Sequence, residues 1–278
     1  MSRQSASWLD GTPTTVLPLP DRGVDFGDGL FETILLRAGH PLFLDMHFAR
    51  LALGLEALAI PDCLAAAQQQ IQQVCSTIES ACRWAVMRLS VLRSPGPRGY
   101  APAHGLAPRI LINITPLERD CDNMLAPATL NQAKIRLSTQ PALARIKHLN
   151  RLEQIVAATQ AQADNVDESF VFDQAGHLVC VIAGNVFLVC QGEVLTPVLD
   201  TCGVAGTRRR LIIESWGPSI GLKVREARLT LADLHSADEV FYSNSLITVR
   251  PVSSSGELSW QDHSVCNALF NKYREALV

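Results

Sequence analysis

The sequence has no long hydrophobic run and no strong excess of charge of either sign. No apolar stretch reaches the roughly 18 residues that suggest a membrane-spanning helix. There are 24 Lys and Arg against 27 Asp and Glu, a net charge of −3, so electrostatics give no reason to expect a nucleic acid or an acidic membrane surface as partner. The opening segment, MSRQSASWLDGTP, contains no apolar signal core, and we therefore expect a cytoplasmic protein.

The cysteines and histidines also lack a metal-binding pattern. The 8 cysteines include no Cys-x-x-Cys pair, and no two of the 7 histidines have the spacing of a zinc site. Several cysteines lie inside apolar runs such as LVCVI and FLVCQ. This placement is typical of free, buried thiols in a reducing compartment, and we expect no metal.

What the sequence does contain is a 47% hydrophobic fraction, enough for a large core in one or two domains. Strand and helix patterns mix without a regular β-α-β rhythm, which predicts an α+β fold of two subdomains. The polar segment 116–126 is the predicted linker between an N-terminal subdomain, 1–115, and a C-terminal subdomain, 127–278.

Hydrophobic periodicity predicts the individual elements. The N-terminal half is predicted to contain a hairpin at 29–37 and 41–44, helices at 45–58 and from Asp62 to about Ser80, and strands at 83–93 and 109–114. The C-terminal half is predicted to contain strands at 134–139, 168–173, 178–182, 186–190, 193–196, 222–226, 238–242 and 247–252, and helices at 151–163, 207–216, 230–235 and 264–277.

The basic segment RIKHLNR, residues 145–151, stands just ahead of a predicted helix for which Asn150 is a plausible N-cap. One interpretation is a solvated basic turn. The other is that Lys147 serves as an amine nucleophile, because partial burial or cationic neighbours lower the pKa of a lysine. Composition alone leaves both interpretations open.

Two glycine-containing turns and one lone cation add further signals. FGDG (26–29) predicts a tight turn before a strand, and GVAGTRRR (203–210) leads into a helix whose first N–H groups could hold a phosphate. Basic residues are unfavourable near a helix N-terminus, so three consecutive arginines there require an anion or acidic partners. Arg50, within HFARL, is a cation on an amphipathic helix.

Taken in order, seven segments resemble the fold type IV pyridoxal-phosphate enzymes. The segments are FGDGLFET, HFARL, RGY, IKHLNRLEQ, GNVF, CGVAGTRR and YSNSLITVRPV, and the resemblance covers about residues 8–275. This family includes branched-chain and D-amino-acid aminotransferases and 4-amino-4-deoxychorismate lyase. IKHLNRLEQ, together with RGY, is most similar to the lyase branch.

The resemblance implies a D-amino-acid-aminotransferase-like fold of two α/β subdomains, with pyridoxal 5'-phosphate in the cleft between them, and a homodimer. It implies that the Lys147 amine holds the cofactor covalently and acts in catalysis. The residues implied for the cofactor phosphate are Arg50, Gly206, Thr207, Asn244 and Ser245. The residues implied for the substrate are Phe26, Arg98, Tyr100 and Asn150.

One position departs from the family pattern. The family has a glutamate at the pyridine nitrogen, five residues before the asparagine of its N-[VL]-F segment, and here that position, counted back from Asn185, is Cys180. A lyase that gains an aromatic product depends less on this acid than a transaminase does. We therefore expect a lyase that converts 4-amino-4-deoxychorismate to 4-aminobenzoate and pyruvate; the alternatives are a D-amino-acid or branched-chain aminotransferase and a non-catalytic cofactor-binding protein.

Overall fold

A computed structural model of the chain describes residues 5–77, 82–96, 98–103 and 105–277. By the density of their internal contacts, the residues form two compact units. The N-terminal unit is Met1–Cys121 with Ile146–Asn150, and the C-terminal unit is Asp122–Arg145 with Arg151–Val278. The first division falls inside the predicted linker. The segment with Lys147, which the sequence assigned to the C-terminal subdomain, belongs to the N-terminal unit.

The N-terminal unit is an antiparallel sheet with helices. Its strands are β1 Ala6–Leu9, β2 Thr12–Pro13, β3 Gly29–Arg37, β4 His40–Pro41, β5 Trp84–Leu92 and β6 Arg109–Pro116, and its helices are α1 Arg22–Phe26, α2 Leu44–Ala57 and α3 Leu64–Thr77. The sheet has the order β2-β1-β6-β5-β3-β4. The predicted hairpin forms, although β4 is shorter than expected. The Asp62 carboxylate accepts the Leu64 N–H at 2.9 Å, as a cap should; the predicted helix end near Ser80 lies outside the described residues.

Alternation along β3 and β5 gives the sheet of this unit two different faces. Leu30 and Ile34 on β3 are buried, with 2% and 0% exposure, as are Met87 and Leu89 on β5. Thr33 pairs with Arg88 across the two strands. Phe31, Thr33 and Arg88 therefore project from the opposite face.

The C-terminal unit has a nine-stranded sheet in the order β12-β11-β10-β13-β14-β7-β8-β9, with β15 paired to β14. Its strands are β7 Ala128–Leu137, β8 Glu168–Asp173, β9 Leu178–Val181, β10 Asn185–Cys190, β11 Glu193–Pro197, β12 Val224–Ala227, β13 Glu239–Asn244, β14 Thr248–Ser255 and β15 Leu258–Ser259. Its helices are α4 Leu152–Ala163, α5 Thr207–Leu211, α6 Gly217–Ser219, α7 Leu231–His235 and α8 Ser264–Glu275, with a π-helical segment, Ile212–Trp216, joining α5 to α6 and a 3₁₀ turn at Pro141–Leu143.

Two buried clusters flank the strands of this unit. One contains Phe170, Val186 and Trp260, and the other contains Val171 and Cys180. Neighbouring residues of β8 thus enter different clusters, as side-chain alternation requires. β7 begins at Ala128, earlier than predicted, because its first residues pair with β14, and such long-range pairing leaves no local sequence signal.

Helix α4 corrects the expectation for Asn150. The N-cap of α4 is Arg151, without a side-chain cap bond, whereas the Asn150 amide donates to the Gly27 carbonyl at 3.1 Å. Asn150 is therefore part of the N-terminal unit and not a helix cap. The apolar residues Leu152, Ile155 and Val156 are 75%, 58% and 53% exposed.

The eight cysteines are free. Five are buried, and the other three, Cys75, Cys82 and Cys190, are partly exposed. None of the helices in the described part of the chain combines the length and the hydrophobicity needed to cross a membrane.

Gly54 tests how closely α2 packs on the strand that carries the candidate site. A Cβ at Gly54 would lie 2.7 Å and 2.8 Å from the two methyl carbons of Leu30. We expect Gly54→Ala to lower the free energy of unfolding by up to about 2 kcal/mol, because overpacking costs about 1–3 kcal/mol and the gain in helix propensity offsets only about 1 kcal/mol of that.

Urea unfolding measures this effect, and Ala52→Gly in the same helix is the control. The control should lose about 1 kcal/mol by propensity alone. An increase in stability for Gly54→Ala would show that propensity decides and that the packing argument is wrong.

Candidate active site

Lys147 is held against the sheet of the N-terminal unit by its own backbone. The Lys147 carbonyl accepts the Phe31 N–H at 2.9 Å, and the Leu149 N–H donates to Gly29 at 3.0 Å. This pairing puts the half-buried Lys147 on the same face as Phe31, with the ammonium 4.3 Å from the centre of the Phe31 ring. The segment is therefore a fixed strand-like pairing and not a solvated turn.

Arg88 shares this ring, and the sequence analysis missed it. Its guanidinium carbon lies 4.0 Å from the centre of the Phe31 ring. The negative faces of the ring stabilise the two cations, and together they make this face attractive to carboxylates. The one available signal was that Arg88 interrupts the apolar strand RWAVMRLSVLR between Met87 and Leu89.

Arg50 has a protein counter-ion, Glu32. The Arg50 Nε donates to Glu32 at 2.8 Å, a second guanidinium nitrogen also bonds the carboxylate, and His47 Nδ1 lies 2.6 Å from it. Burial alone would raise the pKa of Glu32, but the charge and hydrogen bonds of Arg50, together with those of His47, lower this pKa to about 2. Arg50 is thus oriented by an ionised carboxylate.

The predicted substrate residues lie in the N-terminal unit, and the structure brings several of them together. The rings of Phe26 and Tyr100 are 5.5 Å apart, and Asn150 is bonded to the FGDG turn at Gly27. Tyr100 is 87% exposed, and Arg98 is also exposed. The exposed loop and the FGDG turn thus form one neighbourhood.

The C-terminal unit contains the predicted phosphate residues. Gly206 is the N-cap of α5 and has no side chain to cap the helix. A Cβ at Gly206 would lie 2.0 Å from the Asn185 side-chain oxygen, so the position requires glycine. Thr207 is 3% exposed, and its hydroxyl is buried without a hydrogen-bond partner among the described residues.

The end of β13 and the turn after it contain the other predicted phosphate residues, Asn244 and Ser245. The fully buried Arg208 donates to the Ser245 carbonyl at 3.3 Å, which ties the start of α5 to this turn. The Asn244 side-chain oxygen accepts the N–H groups of Leu246 and Ile247 at 2.9 Å and 3.0 Å. The structure therefore brings Thr207 and Ser245 into one neighbourhood.

The other two arginines have acidic partners. Arg209 bonds Glu226, and Arg210 bonds Glu214 at 2.8 Å. The charges of Arg209 and Arg210 are thus compensated by carboxylates of the protein and are not evidence for a bound anion. The Thr207 hydroxyl, buried without a partner in the described part of the chain, and a glycine where a Cβ would collide nevertheless fit a ligand rich in hydrogen-bond acceptors, such as phosphate.

Cys180 is a core residue at 7% exposure, and burial raises the pKa of its thiol far above the ordinary value. Of the two acids of β8, Glu168 is the one whose charge raises the pKa of the Cys180 thiol, but Val171 is the residue paired with Cys180. By alternation Glu168 projects from the other face of β8. There it accepts the Ile182 and Ala183 N–H groups, and burial raises its pKa to about 7. Glu168 is therefore not on the face that Cys180 shares with Val171.

The profile of the family described as Amino-transferase class IV matches residues 29–255. The chain belongs to the class IV amino-transferase family. It is 32% identical over 259 residues, 88% of this chain and 90% of the relative, to an aminodeoxychorismate lyase of Vibrio harveyi. It is 31% identical over 244 residues, 84% of this chain and 80% of the relative, to a Methanocaldococcus jannaschii protein whose name provisionally assigns it as a branched-chain-amino-acid aminotransferase.

Among solved structures, this class IV amino-transferase is similar to a 4-amino-4-deoxychorismate lyase from Pseudomonas aeruginosa. The TM-score is 0.87 at 36% identity, covering 97% of this chain and 98% of that one. The expected α+β fold of two α/β subdomains and the resemblance to the fold type IV enzymes are both confirmed. The same match supports the lyase branch.

The Glu32 ion pair gives a prediction for stability against pH. The pKa of Glu32 is lowered from its ordinary 4.5 to about 2, so its contribution is present above pH 4.5 and is lost as the pH falls toward 2. Glu32→Gln leaves Arg50 buried beside a neutral amide, and we expect it to lower the free energy of unfolding at pH 7 by about 3–5 kcal/mol.

Urea unfolding at pH 7 and at pH 3 measures the difference between wild type and Glu32→Gln. The difference should shrink at pH 3, because at that pH the wild-type carboxylate is mostly protonated in the unfolded state and still mostly ionised in the folded state. Glu56→Gln, at an exposed site of α2, is the control and should change stability by less than about 0.5 kcal/mol. A difference that stays constant with pH would contradict the assignment of an ionised Glu32.

Proposed function

We propose that this protein is a pyridoxal-phosphate-dependent lyase that converts 4-amino-4-deoxychorismate to 4-aminobenzoate and pyruvate, supplying 4-aminobenzoate for folate biosynthesis. The observation that carries the proposal is the Lys147 ammonium, fixed 4.3 Å from the Phe31 ring with Arg88 over the same ring. An amine beside a fixed guanidinium suits a substrate that has both an amine and carboxylates. The two lyase relatives support the proposal over nearly the whole chain.

The residues present suit the cofactor. When bound, pyridoxal phosphate supplies an aldehyde that combines with amines and a ring that accepts electrons. Lys147 is the residue proposed to hold the aldehyde. The Thr207 hydroxyl and the backbone N–H groups around Gly206 and Ser245 are proposed to bind the phosphate, and Asn244 shapes that turn. Arg50, oriented by Glu32, is proposed to donate to the same phosphate.

Lys147 also provides the acid and base of the reaction. The Lys147 amine, set free when the substrate amine takes its place at the aldehyde, would remove the proton from C4 of the substrate. The electrons move through the carbocycle and break the C–O bond to the enolpyruvyl group, and the ring becomes aromatic. The Lys147 ammonium then returns a proton to the methylene carbon of the departing group, which leaves as pyruvate.

Two arginines are proposed to recognise the two carboxylates of the substrate. Arg98 is exposed on the loop between β5 and β6, and Arg88 is on the sheet face with Lys147. A guanidinium matches a carboxylate with two parallel hydrogen bonds. Phe26, Tyr100 and Asn150 are proposed to line the same substrate region.

Cys180 favours the lyase over an aminotransferase. A neutral thiol offers no negative charge to keep a pyridine nitrogen protonated, and the strand alternation directs Glu168 to the other face. Amino-group transfer requires the ring to store electrons. In the lyase reaction, the forming aromatic ring takes them instead, so this chemistry tolerates a weakly activated cofactor.

A homodimer and a cytoplasmic location complete the proposal. The side chains of Leu152, Ile155 and Val156 form an exposed apolar stripe on α4, with exposures of 75%, 58% and 53%. Such a stripe suits burial against a second copy of the chain. Eight free cysteines are compatible with the reducing conditions of the cytoplasm.

The lyase proposal predicts that purified protein with pyridoxal phosphate and 4-amino-4-deoxychorismate releases 4-aminobenzoate and pyruvate in equal amounts. Lys147→Ala should lower the rate by about 10²–10⁴-fold, the usual contribution of a positioned acid or base. Lys134→Ala, which changes an exposed lysine, is the matched control and should retain the wild-type rate.

Borohydride reduction followed by peptide mapping checks the covalent role of Lys147. The other lysines are Lys134, Lys223 and Lys272, so the labelled site is unambiguous. A pyridoxyl label at another lysine in Lys147→Ala would overturn the Lys147 assignment. A correctly labelled wild type that releases no 4-aminobenzoate would overturn the lyase proposal.

Cys180 predicts slow amino-group transfer. We expect the wild type to transfer the amino group of D-alanine or of branched-chain amino acids below the ordinary enzymatic range of about 1–1000 per second. Cys180→Glu should raise that rate by about tenfold or more, because it restores an acid to the position. Cys180→Gln, of similar size without the charge, is the control. A wild-type rate inside the ordinary range would favour an aminotransferase.

A further inference from the structure

Arg22 is a buried arginine that the proposed chemistry does not use. It begins the short helix α1 and is 5% exposed. Its Nε donates to the Asp28 carboxylate at 2.8 Å, and its two terminal nitrogens donate to the carbonyls of Gly99 and Tyr100 at 3.0 Å and 2.8 Å. One guanidinium thus bonds the FGDG turn and the RGY segment at the same time.

Asp28 is itself fixed from a second side. The Arg93 Nε lies 3.1 Å and 2.9 Å from the two Asp28 oxygens, and Arg93 also donates to the Leu58 and Ala59 carbonyls. Asp28 therefore cannot follow a movement of the Arg22 side chain. Arg22 is fixed by the bond from its Nε to Asp28, and its two terminal nitrogens bind the backbone of the loop.

The two carbonyls that Arg22 binds belong to the residues that immediately follow Arg98 in the chain. Gly99 has a φ of +98°, in the region that favours glycine. Arg98 is exposed, and the Tyr100 side chain is 87% exposed. The backbone bonds from Arg22, with the contact between the Phe26 and Tyr100 rings, hold this otherwise exposed segment. Restraint of residues 99 and 100 restrains the direction in which Arg98 projects.

We infer that Arg22 is a positioning residue that holds the RGY segment so that Arg98 meets a substrate carboxylate in a preformed geometry. Preorganisation of this kind lowers the entropy lost on binding. The inference rests on the proposed function for the identity of the carboxylate ligand. The restraint of the loop is a property of the N-terminal unit alone.

The first test is Arg22→Lys in the holoenzyme. A lysine ammonium is a compact charge that can keep the bond to Asp28, but it cannot span all three acceptors. Tryptic cleavage at the Arg98–Gly99 bond should become at least about tenfold faster, because a lost charged hydrogen bond is worth that factor or more. KM for 4-amino-4-deoxychorismate should rise by about tenfold on the same reasoning, with kcat within about twofold.

Arg109→Lys is the matched control. Arg109 pairs with Asp21 at 2.9 Å, and both side chains are largely buried. This ion pair includes no residue of the RGY segment. The control should leave both the cleavage rate and KM at wild-type values. Equal effects in Arg109→Lys and Arg22→Lys would reduce Arg22 to a general structural role and overturn the inference.

A double-mutant cycle with Arg98→Ala shows whether Arg22 acts through Arg98. Arg22→Lys should add little to KM when Arg98 is already absent. Effects on KM that multiply would contradict the inference, as would a wild-type cleavage rate in Arg22→Lys. If the holoenzyme releases no 4-aminobenzoate, the lyase proposal fails, and the cleavage rate still decides whether Arg22 holds the loop.

If Arg22→Lys does not fold, Gly99→Ala provides a second test of the inference. An added Cβ at Gly99 meets nothing within 4 Å, so the substitution causes no collision. It disfavours the positive φ of residue 99 and should thereby shift the carbonyls that Arg22 binds. It should raise KM in the same way and be equally non-additive with Arg98→Ala. An unchanged KM in Gly99→Ala would overturn the inference.

Discussion

The backbone pairing of residues 147–149 with β3 is the constraint on which the candidate site depends. Two hydrogen bonds, from Phe31 to Lys147 at 2.9 Å and from Leu149 to Gly29 at 3.0 Å, fix the register. Because side chains alternate across a strand, a shift by one residue would move the Lys147 amine to the face that packs on α2. The flexible lysine side chain thus starts from a rigid backbone beside Phe31 and Arg88.

Charge inside the N-terminal unit follows one rule. Two carboxylates near β3 are bound to arginine: the buried Glu32 to Arg50, and the partly buried Asp28 to Arg22 and Arg93. Buried ion pairs add little net stability, but removal of one partner leaves an uncompensated charge. These pairs therefore fix geometry. The motifs FGDG and HFARL are parts of the architecture as well as candidate binding segments.

The C-terminal unit differs in the polar groups that it offers to a ligand. Its candidate phosphate cradle offers a buried hydroxyl at Thr207 and a glycine at 206 that no other residue could replace without displacing Asn185. The arginines that follow are neutralised by Glu226 and Glu214 or donate to the Ser245 carbonyl. This unit thus offers directed hydrogen-bond donors, whereas Lys147, Arg50 and Arg88 belong to the N-terminal unit.

The sequence by itself determined the family and several of the strands and helices. β3 and β8 have the predicted bounds, 29–37 and 168–173, because hydrophobic periodicity is a local property of a strand. Motif spacing also singled out Lys147 and Cys180 and led to the correct family. These signals lie within a few neighbouring residues, where a sequence can be read without knowledge of the fold.

Only the tertiary structure decided which distant residues contact each other. Arg50 meets Glu32 across 18 positions of the chain, and Arg22 meets Gly99 across 77. Asn150 bonds Gly27 and does not cap a helix; the face of β8 from which Glu168 projects could be assigned only after its pairing with β9 was known. Hydrogen bonds between distant segments form only when strands are paired and helices packed, and no local pattern specifies the partner.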